Sequence, residues 1–211
     1  MHRIQLTARR VRQALAAAAL IVVAAFLLPG ARTSAETAHL LPAPALDEAS
    51  AKAATEVAVF AGGCFWGVQG VFEHVKGVTR AVSGYAGGRV ADPGYEQVST
   101  GVTGHAESVS VTFDPTQVSY GTLLQIFFSV ALDPTQVDRQ GPDWGTQYRT
   151  VIFFHSPEQE AEARETIARL EASHQYAKPI ATQVVPAETF WRAEEYHQKY
   201  LEKRGAVSCH I

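Results

Sequence analysis

A thiol, a carboxyl and two phenols stand where this 211-residue sequence could use them for chemistry: Cys64, Glu107, Tyr95 and Tyr148. Cys64 lies within Gly62-Gly63-Cys64-Phe65-Trp66-Gly67, after the apolar run Val57 to Phe60 and before the amphipathic segment Val68 to Val75. Two glycines permit an abrupt change from strand to helix. That change places Cys64 in the first helical turn, where unpaired N–H groups and the positive end of the helix dipole favour a thiolate. The thiolate is the nucleophilic form of cysteine. Phe65 and Trp66 beside it suit an apolar substrate group. The plainer alternative is that Cys64 is a small buried core residue.

Glu107 opens a segment that alternates Glu107, Val109, Val111, Phe113 against Ser108, Ser110, Thr112, the pattern of a half-buried strand. It shares parity with the apolar face. A carboxyl on that face is costly to ionise, so its pKa should rise and it could serve as an acid. At the first residue of the strand it could also escape to solvent. Tyr95 falls in the glycine-dense stretch Gly84 to Gly104, and Asp143, Trp144 and Tyr148 fall in a second one, Asp133 to Tyr148. Both read as long functional loops, with flexible surface as the plain alternative.

The elements that must position these residues follow from periodicity and punctuation. Strands are expected at Glu56 to Phe60, Val78 to Tyr85, Glu107 to Phe113, Thr150 to Phe154 and Thr182 to Val185, the fourth being apolar enough to be buried on both faces. Helices are expected after Cys64, over Tyr120 to Leu132, from Ser156-Pro157 to about Ser173, and over Phe190 to Lys203 with Gly205 as its stop. That order predicts an α+β fold, a two-layer sandwich on a mixed sheet.

Composition is that of a globular protein, 46% hydrophobic and 18% charged. Residues 1–35 hold five arginines and no acid, which leaves 13 of the 18 basic groups against all 21 acidic ones, a net of −8 for the remainder. So acidic a body excludes nucleic acid as a partner. The basic start through Arg12, the 15-residue apolar run Ala14 to Leu28, the Pro29-Gly30 break and Thr33-Ser34-Ala35 read as an export signal over 1–35. As a helix the run would span roughly 22 Å, short of a ~30 Å hydrocarbon core, so cleavage is expected and an uncleaved anchor is the alternative. Residues 36–55, rich in Ala with Pro42 and Pro44, read as a flexible linker, and 56–211 as the catalytic body. No stable membrane partner is expected of that body.

The thiol inventory is Cys64 and Cys209. In an exported protein such a pair could be a structural staple or a redox couple. Two sulfur ligands without nearby partners do not make a zinc site.

Gly63-Cys64-Phe65-Trp66-Gly67 resembles the active-site signature of the A-type peptide methionine sulfoxide reductases. Gly104-His105-Ala106-Glu107, Gly145-Thr146-Gln147-Tyr148-Arg149, and Phe190-Trp191 with Ala193-Glu194-Glu195-Tyr196-His197-Gln198 resemble further signatures of that family, in order. The resemblance implies a ferredoxin-like core with added helices and a reaction that returns methionine S-sulfoxide, free or in proteins, to methionine. It implies Cys64 as nucleophile, Glu107 as acid, Tyr95 and Tyr148 as hydroxyl donors to the sulfoxide oxygen, and Phe65 with Trp66 as the methyl pocket. Asp143 would hold the substrate backbone, and Cys209 would resolve a Cys64 sulfenic acid as a disulfide. No cofactor or metal is implied, only an external thiol reductant of the thioredoxin type. Ser99, Trp144 and Glu195 depart from the family's usual cysteine, histidine and aspartate.

Two rivals remain open at this point. One is a binding module stapled by Cys64 and Cys209. The other is a cysteine hydrolase pairing Cys64 with a histidine such as His105, which would transfer acyl groups without consuming thiol.

Overall fold

The computed structural model describes residues 41–44 and 55–206. The expected export signal, most of the linker and Cys209 lie outside the described residues. Strand β1 (Glu56–Gly62) leads through Gly63 and Cys64 into helix α1 (Phe65–Glu73), followed by strand β2 (Val78–Ala86). Helix α2 (Tyr95–Ser99) interrupts the first glycine-rich stretch, and strand β3 (Ala106–Phe113) follows. Helix α3 (Tyr120–Ile126) widens into a π-turn over Phe127–Ala131. The hairpin β4 (Arg139–Gln140) and β5 (Asp143–Trp144), a 3₁₀ turn at Thr146–Tyr148, strand β6 (Thr150–Phe154), helix α4 (Pro157–Ser173) and strand β7 (Gln183–Pro186) come next. The chain then forms strand β8 (Trp191–Arg192), a 3₁₀ turn at Glu195–His197 and helix α5 (Tyr200–Arg204).

Six strands form one mixed sheet in the order β7-β6-β1-β3-β2-β8. The inner four, β6-β1-β3-β2, are antiparallel and linked by α1 and α3, which is the βαββαβ arrangement of a ferredoxin-like core. The parallel strand β7 and the short β8 extend its two edges. Helices cover one face, where Phe60, Phe72, Val109, Val111, Phe113, Leu123, Phe127 and Leu170 form the main core. A smaller cluster of Val59, Ala61, Ala106, Val151 and Phe153 lies on the other face. Strands β1 and β6 are therefore apolar on both sides, as their continuous hydrophobic runs require. Within the expected linker, Leu41 is buried, its amide donating to Ser129 Oγ at 3.3 Å, and Ala43 accepts from Arg169 at 3.2 Å.

Four expectations need correction. Cys64 is the N-cap of α1, not part of its first turn, because the left-handed φ of +85° at Gly63 starts the helix one residue later. The two glycine-rich stretches are not wholly irregular, since they hold α2 and the β4–β5 hairpin. The α3 helix does not stay regular to Leu132 but passes into a π-turn. Phe190 to Lys203 is not one helix: only its end, in α5 (Tyr200–Arg204), is α-helical. Its aromatic and apolar spacing fits one, yet Gln198 overrides that pattern: its Oε1 accepts from Ser83 N at 3.0 Å while its Nε2 donates to Ser83 O and Ala193 O, both at 2.9 Å. The amide side chain thus continues the β2 edge where β8 stops. Lys199, at φ +52°, turns the chain there and donates its N–H to Gln69 Oε1 at 3.0 Å.

Candidate active site

Gly63 is where the site begins. A side chain there would lie about 2.5 Å from Gln140 Cβ, so glycine serves both the turn and the approach of the β4–β5 hairpin. Gln140 is opposite Asp143 in that hairpin and is fixed by mutual bonds with Asp133, whose N–H donates to Gln140 Oε1 at 2.8 Å. The close packing at Gly63 therefore brings the strand carrying Asp143 against the turn carrying Cys64.

Cys64 is half-buried, and its carbonyl accepts from Gly67 N at 3.1 Å. The first amide of α1, Phe65 N, would lack an intrahelical partner. Glu107 supplies one, its Oε2 accepting that N–H at 3.0 Å. At 2% exposure Glu107 does not escape to solvent, which settles the alternative left by its place at the strand start. The parity reading held because β3 keeps its alternation to its first residues.

Two tyrosines complete the cluster. Burial first, then the charges of Glu107 and Cys64, push the Tyr95 hydroxyl pKa up. Burial, then Glu107, Tyr95, Asp143 and Cys64, push that of Tyr148 up as well. Both phenols hence remain neutral donors, and both feel the same thiol and carboxyls. Their loops are tied together: Gln147 Nε2 donates to Ser99 O at 2.9 Å, Thr146 Oγ1 to Gly101 O at 3.3 Å, and Arg149 Nη2 to Gly104 O at 3.0 Å. Cys64, Glu107 and Asp143 all lie within electrostatic reach of both Tyr95 and Tyr148.

An aromatic wall stands beside the thiol. Phe65 is buried against Tyr85 at 5.9 Å between centroids, and half-buried Trp66 stacks on Tyr200 at 3.7 Å with planes 9° apart. His105 is elsewhere in character: buried against Gly88, with its pKa lowered by burial and then by Arg149. Arg149 and Glu188 are its electrostatic neighbours.

The family model described as peptide methionine sulfoxide reductase matches residues 56–211. The chain belongs to the peptide methionine sulfoxide reductase family. It is 56% identical over 154 residues to the peptide methionine sulfoxide reductase MsrA of Acidobacterium capsulatum, covering 73% of this chain and 98% of that protein. It is 54% identical over 154 residues to the MsrA of Geobacter sulfurreducens, covering 73% and 94%. Among solved structures it resembles the methionine sulfoxide reductase A of Corynebacterium diphtheriae, with 36% identity, TM-score 0.66 and coverage of 76% and 80%. Mxr1 of Saccharomyces cerevisiae in reduced form gives 31% identity, TM-score 0.66 and coverage of 77% and 92%.

Reasoning from residue types alone missed Glu194, His197 and Gln198 as parts of the site's framework. Glu194 Oε1 accepts from Tyr95 N at 2.9 Å and its Oε2 accepts from the Tyr85 hydroxyl at 2.7 Å. The signature around Ala193 to Gln198 was the signal that could have found them, but a helical reading of that stretch gave them no inward role.

Proposed function

We propose that Cys64, Glu107, Tyr95 and Tyr148 carry out the family's reaction in this chain, the thiol-dependent reduction of methionine S-sulfoxide to methionine. The observation that carries this reading is the meeting of Glu107 with the first amide of α1, which sets a buried carboxyl beside the thiol. The Cys64 thiolate attacks the sulfoxide sulfur. The oxygen departing from that sulfur needs protons and hydroxyl donors, supplied by Glu107, Tyr95 and Tyr148. Glu107, buried and held against the first amide of α1, is the carboxyl placed to supply a proton there. Phe65 and Trp66 form the pocket for the methyl group, and Asp143 holds the substrate backbone.

The oxygen leaves as water; a second water then attacks the Cys64 sulfur, breaking its bond to the substrate sulfur, so that methionine departs as the two-electron-reduced product and Cys64 remains as a sulfenic acid. Cys209 attacks that sulfur, forming the disulfide and releasing water. A thioredoxin-type dithiol then returns both thiols and is itself oxidised. No step calls for a metal or flavin, because thiols carry the electrons. Residues 1–35 direct export with cleavage near Ala35, and the mature enzyme repairs oxidised proteins outside the cytoplasm; a membrane-anchored form would retain that segment.

Purified protein incubated with N-acetylmethionine sulfoxide and dithiothreitol should yield the sulfide with one dithiol consumed per turnover. Acyl transfer without thiol consumption would overturn the assignment. Cys209→Ser should still release about one methionine per enzyme without reductant and leave a dimedone-reactive Cys64, while thioredoxin-driven turnover collapses. Full thioredoxin-driven turnover by that variant would exclude the resolving role. N-terminal sequencing of native protein should begin near Glu36, and an intact leader on soluble cytoplasmic protein would exclude export.

A further inference from the structure

The wall over Cys64 rests on a polar relay that the reaction does not consume. The indole Nε1–H of Trp66 donates to His197 Nδ1 at 3.1 Å. An indole N–H only donates, and an imidazole nitrogen accepts only when it carries no proton, so this bond assigns the His197 proton to Nε2. Nε2 faces Glu194 Oε2 at 3.9 Å, too far for a hydrogen bond but close enough for the carboxylate to favour N–H at that nitrogen. Glu194 is pinned in turn by the Tyr85 hydroxyl and the Tyr95 amide. Burial works to raise its pKa, yet those donors prevail and hold the carboxyl below its ordinary range.

His197 has little freedom of its own. It is 1% exposed, and its ring packs against Tyr196, Tyr95 and Phe65 at centroid distances of 4.2, 4.4 and 5.0 Å. Burial lowers its pKa against the pull of Glu194, which keeps the imidazole neutral and Nδ1 able to accept. One carboxylate therefore reaches both sides of the site: directly to the backbone that carries Tyr95, and through the imidazole to the indole that closes the apolar side.

We propose that Glu194 and His197 are positioning residues that fix where the Trp66 indole lies within the plane set by its stack on Tyr200, and thereby set the size of sulfur substituent the pocket admits. This rests on the reading of Phe65 and Trp66 as the methyl pocket. An indole held by the Tyr200 stack alone could slide across that ring and leave room for a longer alkyl group; the bond from its N–H to His197 opposes that shift.

The test compares kcat/KM for N-acetylmethionine sulfoxide and N-acetylethionine sulfoxide, with the Trp66 indole N–H resonance followed by NMR. His197→Phe keeps the ring packing and removes the acceptor; it should lower the methyl preference about ten-fold, the scale of one methylene in a pocket, and shift the indole resonance to its solvent-exposed position. His197→Asn places an oxygen near Nδ1 and should restore both. A displaced indole resonance with unchanged methyl preference overturns the proposal, as does an asparagine variant that behaves like the phenylalanine one. Should His197→Phe not fold, Glu194→Gln keeps one oxygen to accept from the Tyr95 amide and replaces the other, with the charge, by an NH2 donor; an unchanged methyl preference there overturns it equally. Trp66→Ala separates the two readings: if it leaves the methyl preference intact, the pocket itself is misassigned.

Discussion

The turn from β1 into α1 and the segment from Phe190 to Gly205 meet at Trp66, yet different forces hold them in place. In the first, backbone geometry does the positioning. A left-handed glycine, a strand paired on both sides and a helix N-terminus capped by Glu107 leave Cys64 a single location. In the second, side chains do it. Gln198 substitutes for a strand neighbour at Ser83, Glu194 gathers the Tyr95 amide and Tyr85 hydroxyl, and His197 accepts from Trp66. The reacting sulfur thus sits on the rigid, locally determined region, and the wall around the substrate on the region built from long-range polar contacts. Changes in the first should strike chemistry, and changes in the second should strike stability and selectivity.

The strongest way to break that contrast is to remove the nucleophile. Cys64→Ser should reduce sulfoxide turnover, and even the single stoichiometric turnover, to the assay background, with an unchanged circular dichroism spectrum. Next in size, Glu107→Gln keeps an acceptor for Phe65 N–H but cannot supply the proton, and should slow reduction roughly 10²-fold at neutral pH with little change in melting temperature. Wild-type rates in that variant would mean that the acid lies elsewhere.

Gln198→Ala probes the other region. Ser83 N–H is buried, and losing its acceptor should cost about 1–3 kcal/mol of stability, read as a shift in the urea midpoint. The rate at which Cys64 reacts with a small alkylating thiol reagent should be unaffected, since no bond to Gln198 positions the turn at Gly63. A parallel loss of thiol reactivity would show that the two regions are set together.

The same contrast explains what could be read from the sequence. Glu107 on the core face, Cys64 at a helix start, and β6 as a central strand all followed from periods of two or 3.6 residues and from glycine chemistry. The segment after Phe190 did not. Its spacing of aromatic and apolar residues matches a helix, while the bonds that decide its path join residues 115 apart, such as Gln198 and Ser83. Nothing local in Gln198 marks it as a strand substitute. The hairpin bearing Asp143 was hidden for a related reason: two-residue strands carry no periodicity, and Gly63 packing on Gln140 holds them in place.

The smallest expected effect lies outside both regions and calibrates them. Ser156 caps α4, its Oγ accepting from Gln159 N at 3.2 Å, with Pro157 at the first helical position. Gln159 does not return a bond to the cap residue's own amide. Its Oε1 accepts from His155 N at 3.0 Å and its Nε2 donates to Val57 O at 3.1 Å, so it sews the helix start to the first residues of β1. Ser156→Ala removes the cap bond and the hydroxyl's bond to exposed Glu158, and should cost about 1 kcal/mol. Because the Gln159 tie to β1 survives, the turn at Gly63 and Cys64 should not move, and kcat/KM should stay at the wild-type value. A catalytic loss in this variant would mean that the β1 to α1 turn depends on α4 for its position, and the rigidity attributed to Gly63 and the sheet would have to be shared with that helix.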